Sequence, residues 1–328
     1  PLTGPRAIWR SASFDRHLAS AAARYDVMHA HGIWEGLFVD AARRFRAAGR
    51  PYFVSAHGML DVWSMRRSRL KKKAAWHLAG TGGYINGANG VIFGTPDEAE
   101  EARPLKLAAP AFAVPNGIDP TRMSDGVAGG RARLLDRFPA VRAWQTTILF
   151  YSRLHPKKGL DLLVEAFGRL APRYPAVGIF AAAIPQDKAF ESTVRARITE
   201  LGLEDRIVLT TDLVGVEGRA AFDLADVFAL PSHQEGFSMA IVEAMANRLP
   251  VLITDRCHLG AVRDWGAGEV TPVTVDGIEA GLSRLLSMPP DALRAMGDAG
   301  RTAVERQFTW PRIAAELEAI YLGRGTPL

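Results

Sequence analysis

Short apolar runs that alternate with longer helix-forming segments constrain this fold more than any other feature of the sequence. Ten runs rich in Val, Ile, Phe and Ala have the length of strands, and segments with helical periodicity separate them. Such alternation indicates parallel sheets built from βαβ units. Because the runs are apolar throughout, we expect helices on both faces of each sheet. The runs lie at 26–31, 51–56, 90–95, 111–116, 146–152, 177–183, 206–211, 226–232, 250–255 and 268–273.

The length of the chain allows two such sheets. With 328 residues and 48% hydrophobic composition, it can bury two cores. The segment NGIDPTRMSDGVAGG (116–130) is rich in Gly, Asp and Pro, which is typical of a linker. We therefore expect an α/β fold of two Rossmann-like, doubly wound domains facing a cleft, with domains at 1–125 and 126–307. An amphipathic helix over 308–323 needs a partner for its apolar face, either in its own domain or elsewhere.

Several classes of protein are disfavoured by the composition. A single cysteine, Cys257, excludes an intrachain disulfide and fits a reducing compartment. The longest apolar run, 176–184, is too short to span a membrane. Residues 1–10 lack the pattern of a signal peptide, and the absence of an initial Met suggests a piece of a longer polypeptide. We expect a cytoplasmic protein.

The stretch PSHQEGFSMAIVEAMANRLPV (231–251) places Glu235 and Glu243 eight residues apart, around the predicted start of a helix with Ser238 as its N-cap. This loop follows a strand, and the carboxyl ends of parallel strands are where α/β sheets bind ligands. Free N–H groups at a helix start suit a phosphate. An elongated ligand with a sugar, a diphosphate and a ribose would contact both carboxylates, which describes a nucleotide sugar. The alternative is that Glu243 forms a solvent-facing helix pair.

A diphosphate requires cations, and the segment 150–167 supplies Arg153, Lys157 and Lys158 directly after a strand. Two cations at a strand end balance a diphosphate without a metal, and Arg binds it bidentately. The alternative is ordinary surface lysines. The sequence has no Asp-x-Asp pair that would hold Mg²⁺ at a diphosphate, so we predict no metal.

Taken together, these motifs resemble the retaining nucleotide-sugar glycosyltransferases of family 4, of the bacterial polysaccharide type, which have the GT-B fold. The resemblance implies transfer of a hexose from a UDP- or GDP-linked donor to a glycan or a lipid-linked oligosaccharide in surface polysaccharide biosynthesis. It also implies that the donor is a substrate and that no separate cofactor takes part. It rests on SRLHPKKGLDLLVEAF (152–167), PSHQEGFSMAIVEAMANRLPV (231–251), VSAHGMLDVWSMRRSRLKKKAAWHL (54–78), VPNGID (114–119) and FTWPRIAAELEAIY (308–321).

The same resemblance assigns roles to individual residues. It implies that Arg153 and Lys158 hold the donor diphosphate, and that Glu235 contacts hydroxyls of the transferred sugar. Glu243 would accept a hydrogen bond from the ribose, and His57 matches a histidine near the anomeric centre. Backbone contacts with the sugar and phosphates are implied for Gly236, Phe237 and Ser238.

The resemblance further makes 1–125 the acceptor-side domain and 126–307 the donor-binding domain, with 308–328 crossing back to the first. The chain departs from the family in several places. An N-terminal Gly-rich loop is absent, so the first domain is expected to be truncated at its start. Arg248 stands where a small residue is usual. The departures keep two alternatives open: a non-catalytic relative that binds a nucleotide or a partner, and a sugar-nucleotide epimerase.

Two histidines in HAHG, His29 and His31, share one face of a predicted strand. Two-residue spacing is compatible with a metal, but no third ligand is evident, so a position of His31 near the acceptor is favoured. Trp34 and Glu35, which follow the strand, are candidates for contact with an acceptor sugar.

A basic run over 65–80 carries six cations within residues 66–73, beside Leu70, Trp76 and Leu78. This pattern favours an anionic membrane surface, each cation contributing about 1 kcal/mol near such a surface. A peripheral position on the inner face of the plasma membrane is therefore part of the hypothesis. A simply solvated face is the alternative. No nucleic-acid partner is predicted, because no recognition module is visible.

Overall fold

The computed structural model describes residues 12–66, 68–124, 127–213 and 215–328. Contacts divide the chain into two compact units, Pro1–Asn116 with Pro311–Leu328, and Gly117–Trp310. The predictions made for residues 1–10, for an absent N-terminal loop and for Arg67 of the basic run lie outside the described residues. None of the helices in the described part of the chain combines the length and apolar composition needed to cross a bilayer.

The first unit contains a parallel sheet in which four described strands follow one another in chain order. His31 pairs with Ser55 at the carboxyl end of the first two strands. The strands are β1 (Met28–His31), β2 (Tyr52–Ser55), β3 (Gly90–Phe93) and β4 (Ala111–Ala113), and the helices before residue 117 are α1 (Ala12–Arg24), α2 (Gly36–Ala47), α3 (Val62–Arg66), α4 (Arg69–Leu78), α5 (Thr81–Asn86) and α6 (Pro96–Ala102).

Helices cover both faces of this sheet. Successive residues of β2 point to opposite faces, so Val54 joins the core on one side and Phe53 joins a second cluster on the other. The helix Trp310–Tyr321, called here the terminal helix, supplies Ile313 and Ile320 to that second cluster. The apolar face predicted within 308–323 is therefore buried against the first unit's sheet.

The second unit contains a parallel sheet whose described strands lie in the order β10-β9-β8-β5-β6-β7. The strands are β5 (Thr146–Leu154), β6 (Val177–Pro185), β7 (Ile207–Thr210), β8 (Val227–Leu230), β9 (Val251–Thr254) and β10 (Gly268–Thr271), and the helices are α7 (Pro120–Ser124), α8 (Gly130–Arg137), α9 (Leu160–Leu170), α10 (Lys188–Glu200), α11 (Gly215–Ala220), α12 (Met239–Ala246), α13 (Ala261–Asp264), α14 (Val275–Leu286) and α15 (Pro290–Gln307).

Strand order reverses in this second sheet between β5 and β8. The chain builds outward from β5 through β6 to β7, and then returns to β8, which pairs with the other side of β5 at Ile148 and Val227. In open α/β sheets, ligands bind outside the carboxyl ends of the strands at such a switch point. We therefore expect a ligand-binding site at the ends of β5 and β8.

The structure confirms the predicted α/β class, and each of the ten predicted strands is present. The boundary between the units falls after Asn116, whereas the sequence placed it after residue 125. The stretch predicted as a linker, 116–130, includes a short helix, α7. Asp119 supports its start, because its carboxylate accepts hydrogen bonds from the Thr121 amide and hydroxyl.

Candidate functional site

Lys158 lies at the carboxyl end of β5, in a 3-10 turn formed by Pro156–Lys158. The side chain of His155 caps this turn by accepting a hydrogen bond of 3.0 Å from the Lys157 amide. Gly159 follows with a φ of 70° and leads into α9. A left-handed residue at this point turns the chain sharply, which orders the segment that carries Lys158.

Glu235 lies in the loop after β8 and forms a buried ion pair with Lys158. The ammonium nitrogen lies 2.6 Å from Oε1 and 2.8 Å from Oε2 of the carboxylate. The hydroxyl of Ser232 donates a further hydrogen bond of 2.6 Å to Oε1. The two charged side chains are only 7% and 8% exposed. The pair therefore joins the ends of β5 and β8 at the switch point of the sheet.

Backbone contacts bring the two loops together. The His233 amide donates a hydrogen bond of 2.8 Å to the carbonyl of Lys157. A Cβ atom added to Gly159 would lie 2.1 Å from the carbonyl oxygen of Pro231, so only glycine fits there. The ion pair is thus positioned by the main chain and not only by its own side chains.

The end of β9 fixes the same loop from its other side. The Glu235 amide donates a hydrogen bond of 2.9 Å to the Arg256 carbonyl, and the Thr254 hydroxyl donates one of 2.5 Å to the Ser232 carbonyl. Burial, followed by the charge of Glu235, raises the pKa of the neighbouring Cys257 thiol to about 12. Cys257 is consequently a neutral packing residue and not a nucleophile.

Arg153 lies near the end of β5 with its side chain exposed. Within the described residues its guanidinium forms no ion pair, unlike the ammonium of Lys158. The structure therefore joins Lys158 to Glu235 and leaves Arg153 open on the preceding strand. An exposed guanidinium without a carboxylate partner is available for an anion.

Glu243 lies in the second turn of α12, and within the described part of the chain its carboxylate forms no ion pair. Its carboxylate is half-buried, and this burial raises its pKa, partly offset by Arg219. Burial, followed by the charge of Glu243, also raises the pKa of Tyr151. A Cβ atom on Gly218 would lie 2.8 Å from the Tyr151 hydroxyl, so α11 packs closely on that ring.

Sequence reasoning missed Tyr151, Arg219 and Ser232. Tyr151 had a signal, because it stands two residues before Arg153 on β5 and residues so spaced point to the same face of a strand. Ser232 is three residues before Glu235, but nothing in the sequence shows that its hydroxyl turns toward that carboxylate. Arg219 comes from a different helix and carried no local signal.

In the loop between Glu235 and α12, the side chain of Ser238 does not make the hydrogen bond expected of an N-cap residue. Ser238 nevertheless occupies the N-cap position with an extended backbone. The predicted N-cap position of Ser238 is therefore confirmed, without a side-chain hydrogen bond. The centroid of the Phe237 ring lies 5.6 Å from that of Phe308, and the partly buried Phe237 side chain packs against the core. The ligand contacts predicted for Gly236, Phe237 and Ser238 would therefore be made by their backbone atoms.

His57, in the first unit, follows β2 with a φ of 47°. Its Nε2 lies 2.9 Å from Nδ1 of His31 at the end of β1. No group of three metal-ligating side chains among the described residues has the arrangement of a metal site. Close by, the ammonium of Lys72 lies 5.3 Å from the ring of Trp34, and Glu35 immediately precedes α2.

The fold and this switch-point pair define an α/β protein with two Rossmann-like sheets, and sequence comparison gives its family. Residues 136–303 match the family model Glycosyl transferases group 1, and residues 1–122 match Glycosyltransferase Family 4. The first match covers more than half of the chain. The protein belongs to the group 1 glycosyl transferases, and the resemblance noted in the sequence is confirmed.

Curated relatives agree with this assignment, and a solved structure shares the fold. The chain is 38% identical over 130 residues to MMP alpha-(1->4)-mannosyltransferase of Mycolicibacterium hassiacum, covering 38% of this chain and only 31% of that protein's length. It is 30% identical to a GDP-mannose-dependent alpha-(1-6)-phosphatidylinositol monomannoside mannosyltransferase of Mycobacterium tuberculosis, covering 87% of this chain and 74% of that protein. Anabaena Alr3699/HepE, solved with UDP and glucose, shares the fold with a TM-score of 0.77 at 18% identity, over 94% of this chain and 81% of that one.

Proposed function

We propose that this chain is a retaining, metal-independent glycosyltransferase that moves a hexose from a UDP- or GDP-linked donor to a glycan or lipid-linked oligosaccharide. The observation that carries the proposal is the buried Lys158–Glu235 pair at the switch point of the second sheet. A buried ion pair is costly unless it is well bonded, and it adds little to stability. Its presence at the switch point, where such sheets bind ligands, therefore favours a functional role.

In the proposed reaction the bond between the anomeric carbon and the diphosphate oxygen breaks, and a bond to an acceptor hydroxyl oxygen forms. The acceptor proton is released, and the nucleoside diphosphate leaves with the electron pair of the broken bond. Arg153 and Lys158 stabilise the charge that develops on the diphosphate, which is an electrostatic role. Because Lys158 already binds Glu235, its ammonium is oriented before the donor arrives.

Glu235 and Glu243 are assigned to the two ends of the donor. Glu235, held by Lys158 and Ser232, would accept hydrogen bonds from hydroxyls of the sugar. Glu243, beside Tyr151, would accept from the ribose, and its partial burial strengthens such a bond. The names of the relatives, which include a GDP-mannose-dependent enzyme, support a nucleotide-sugar donor.

Nucleotide binding tests the donor site. Calorimetry with UDP, GDP and the matching monophosphates should show tighter binding of one diphosphate. Arg153→Ala should weaken that diphosphate at least about tenfold, the effect of one charge-assisted contact of about 1.4 kcal/mol, and leave the monophosphate nearly unchanged. Because the Arg153 side chain is exposed, we expect this variant to fold normally. Lys188→Ala, exposed at the start of α10, is the matched control.

Equal loss of monophosphate and diphosphate affinity in Arg153→Ala would contradict a diphosphate contact. Transfer from a labelled nucleotide sugar, measured with and without EDTA, tests the reaction itself. Loss of activity in EDTA would contradict metal independence. Nucleotide binding without any transfer would favour the alternative of a non-catalytic relative.

For the acceptor side we propose contact with an anionic membrane surface through 65–80. A cavity of about 560 Å³ lies beside α4, with Arg66, Arg69 and Lys73 in its wall and one carboxylate, Glu101. Within the described residues none of these three cations forms an ion pair. Leu70 and Leu78, on the same helix, are 84% and 86% exposed. Exposed leucines beside unpaired cations suit a phosphate-bearing lipid surface.

Vesicle sedimentation tests this surface. Vesicles of phosphatidylcholine mixed with phosphatidylglycerol should bind the protein, and vesicles of phosphatidylcholine alone should bind it weakly. Arg69→Glu with Lys73→Glu should abolish the difference, because two favourable charges become unfavourable. Lys188→Glu with Arg306→Glu is the matched control elsewhere on the surface, and an equal loss in that control would contradict a local site.

A further inference from the structure

Three histidines of the first unit form an ordered row. The His29 ring stacks on the His31 ring with centroids 4.3 Å apart, and Nδ1 of His31 lies 2.9 Å from Nε2 of His57. The rings of His31 and His57 are within 13° of parallel, with centroids 5.1 Å apart. That spacing, together with the short contact between nitrogens, is the geometry of two imidazoles joined end to end by one hydrogen bond.

The first member of the row, His29, is fully engaged on both of its nitrogens. Its Nδ1 shares a hydrogen bond of 2.6 Å with the Tyr321 hydroxyl of the terminal helix. Its Nε2 shares one of 2.8 Å with the Ser55 hydroxyl at the end of β2. His29 therefore has no nitrogen left for His31, and it acts on that ring by stacking alone.

We infer that His31 is a positioning residue that fixes the tautomer of His57, and that the two rings together hold a single proton at their shared contact. The inference rests on the proposed function for its part in transfer, whereas the contact itself does not. Two neutral imidazoles that share one hydrogen bond supply one donor and one acceptor. If Nε2 of His57 accepts, its Nδ1 must carry the proton, and if Nε2 donates, Nδ1 is a free base. In either case the tautomer of His57 is coupled to that of His31, because one ring must donate the proton that the other accepts.

The surroundings of the pair agree with this role. Loss of solvent, followed by the charge of His31, lowers the pKa of His57, and loss of solvent lowers the pKa of His31. Both rings remain exposed on one side, so a ligand can reach them. His57 holds a left-handed backbone conformation, which is unfavourable for a residue with a side chain and is typical of functional positions.

Few other ionisable groups face the row. His29 and Tyr321 close its buried end. Glu98 of α6 accepts hydrogen bonds from the amides of Gly58 and Gly94, which holds the turn that follows His57. Glu35 lies near Gly32, at the end of β1. Among these groups, His31 is the one with a direct hydrogen bond to the His57 ring.

Histidine-selective ¹⁵N labelling of the whole chain tests the inference without any substrate. In the unaltered protein, long-range proton–nitrogen correlations should show His57 in one dominant tautomer, and His31 and His57 should titrate as a coupled pair in two steps. His31→Phe should give His57 a mixture of tautomers and a single titration step at higher pH, because the neighbouring charge is removed. An unchanged tautomer and an unchanged titration of His57 in this variant would overturn the inference.

Two further variants serve as controls for this NMR experiment. His31→Gln supplies an amide that can donate or accept a hydrogen bond and does not titrate, so His57 should titrate in a single step. His17→Phe, an exposed histidine of α1, should leave His57 unchanged. These spectra can fail while nucleotide binding to the second unit succeeds, and the reverse, so the inference and the proposed function are tested separately.

Discussion

The ammonium of Lys158 lies within 2.8 Å of both oxygens of Glu235, although 77 residues separate the two along the chain. Each residue follows a different strand, and the strands are neighbours only because the sheet order reverses between them. The pair is buried and receives one further hydrogen bond, from Ser232. Its loss should therefore affect both folding and binding.

Removal of one partner should cost more than removal of both. Lys158→Met leaves a buried carboxylate without its cation, and we expect the free energy of unfolding to fall by about 3–5 kcal/mol. Lys158→Met with Glu235→Leu should recover most of that loss while abolishing nucleotide binding. Urea unfolding measures both. Arg137→Ala, which breaks exposed pairs with Asp212 and Glu217, is the control and should cost at most about 1 kcal/mol. Equal losses in the single and double variants would contradict the argument.

Gly159→Ala should destabilise the protein more than Gly202→Ala, although both glycines have left-handed backbones. Gly159 and Gly202 have φ values of 70° and 64°, but a Cβ on Gly159 would lie 2.1 Å from the Pro231 carbonyl and one on Gly202 would meet nothing within 4 Å. Gly202→Ala should cost about 1 kcal/mol for its conformation. Gly159→Ala should cost about 3 kcal/mol or more, because the clash is with main chain. Urea unfolding of both variants measures these losses. Similar losses would show that the loops after β5 and β8 can move apart without a further loss of stability.

The strands of this fold could be predicted because each is an apolar run of suitable length between polar segments. The charged motif could be predicted too, since Arg153, Lys158 and Glu235 all follow such runs. What the sequence lacked was the order of strands in the sheet. Without that order, nothing showed that the ends of β5 and β8 adjoin or that Lys158 and Glu235 form one buried pair.

Contacts between residues far apart in the sequence could not be predicted either, because they too depend on how the strands and helices pack together. The two-residue spacing in HAHG showed that His29 and His31 share a face, but His57 reaches His31 only through the pairing of β1 with β2. Tyr321 reaches His29 because the terminal helix packs on the first unit's sheet. The N-cap position of Ser238 could be predicted from its residue type, although its hydroxyl makes no hydrogen bond to the first turn.

Glu243→Gln should stabilise the protein more as the pH rises. Burial raises the pKa of this carboxyl above its ordinary 4.5, so the folded state keeps the proton to a higher pH than the unfolded chain. The free energy of unfolding of the unaltered protein therefore falls as pH rises from about 4.5 through the raised value. The glutamine variant lacks this loss, and the gap between the two should widen with pH. Urea unfolding at several pH values measures it, with exposed Glu204→Gln as control. A gap that does not change with pH would contradict the burial argument.

His29 should make the protein sensitive to mild acid. Burial, followed by the charges of His31 and His57, lowers its pKa from 6.5 to about 4, so the unfolded chain binds a proton that the folded state does not. The stability that the neutral ring contributes is complete above about pH 6.5 and is lost as the pH falls toward 4. The slope from this group should not exceed about 1.4 kcal/mol per pH unit. His29→Gln should flatten the profile of thermal unfolding in that range, and His17→Gln should not. An equally steep profile in His29→Gln would assign the acid sensitivity elsewhere.

Arg248→Gly should be more stable than Arg248→Ala, although both remove the same side chain. Arg248 follows the end of α12 with a φ of 59°, a conformation that costs a residue with a Cβ about 1–2 kcal/mol and glycine little. Packing holds it there, because Gly297 of α15 lies so close that a Cβ would be 1.9 Å from the Arg248 carbonyl. Its ion pair with Asp298 is exposed on both sides and contributes at most about 1 kcal/mol. We expect the glycine variant to exceed the alanine variant by about 1 kcal/mol in urea unfolding, with Asp298→Ala measuring the ion pair alone. Equal stabilities would mean that the turn relaxes once the arginine is removed, and that α15 does not fix its conformation.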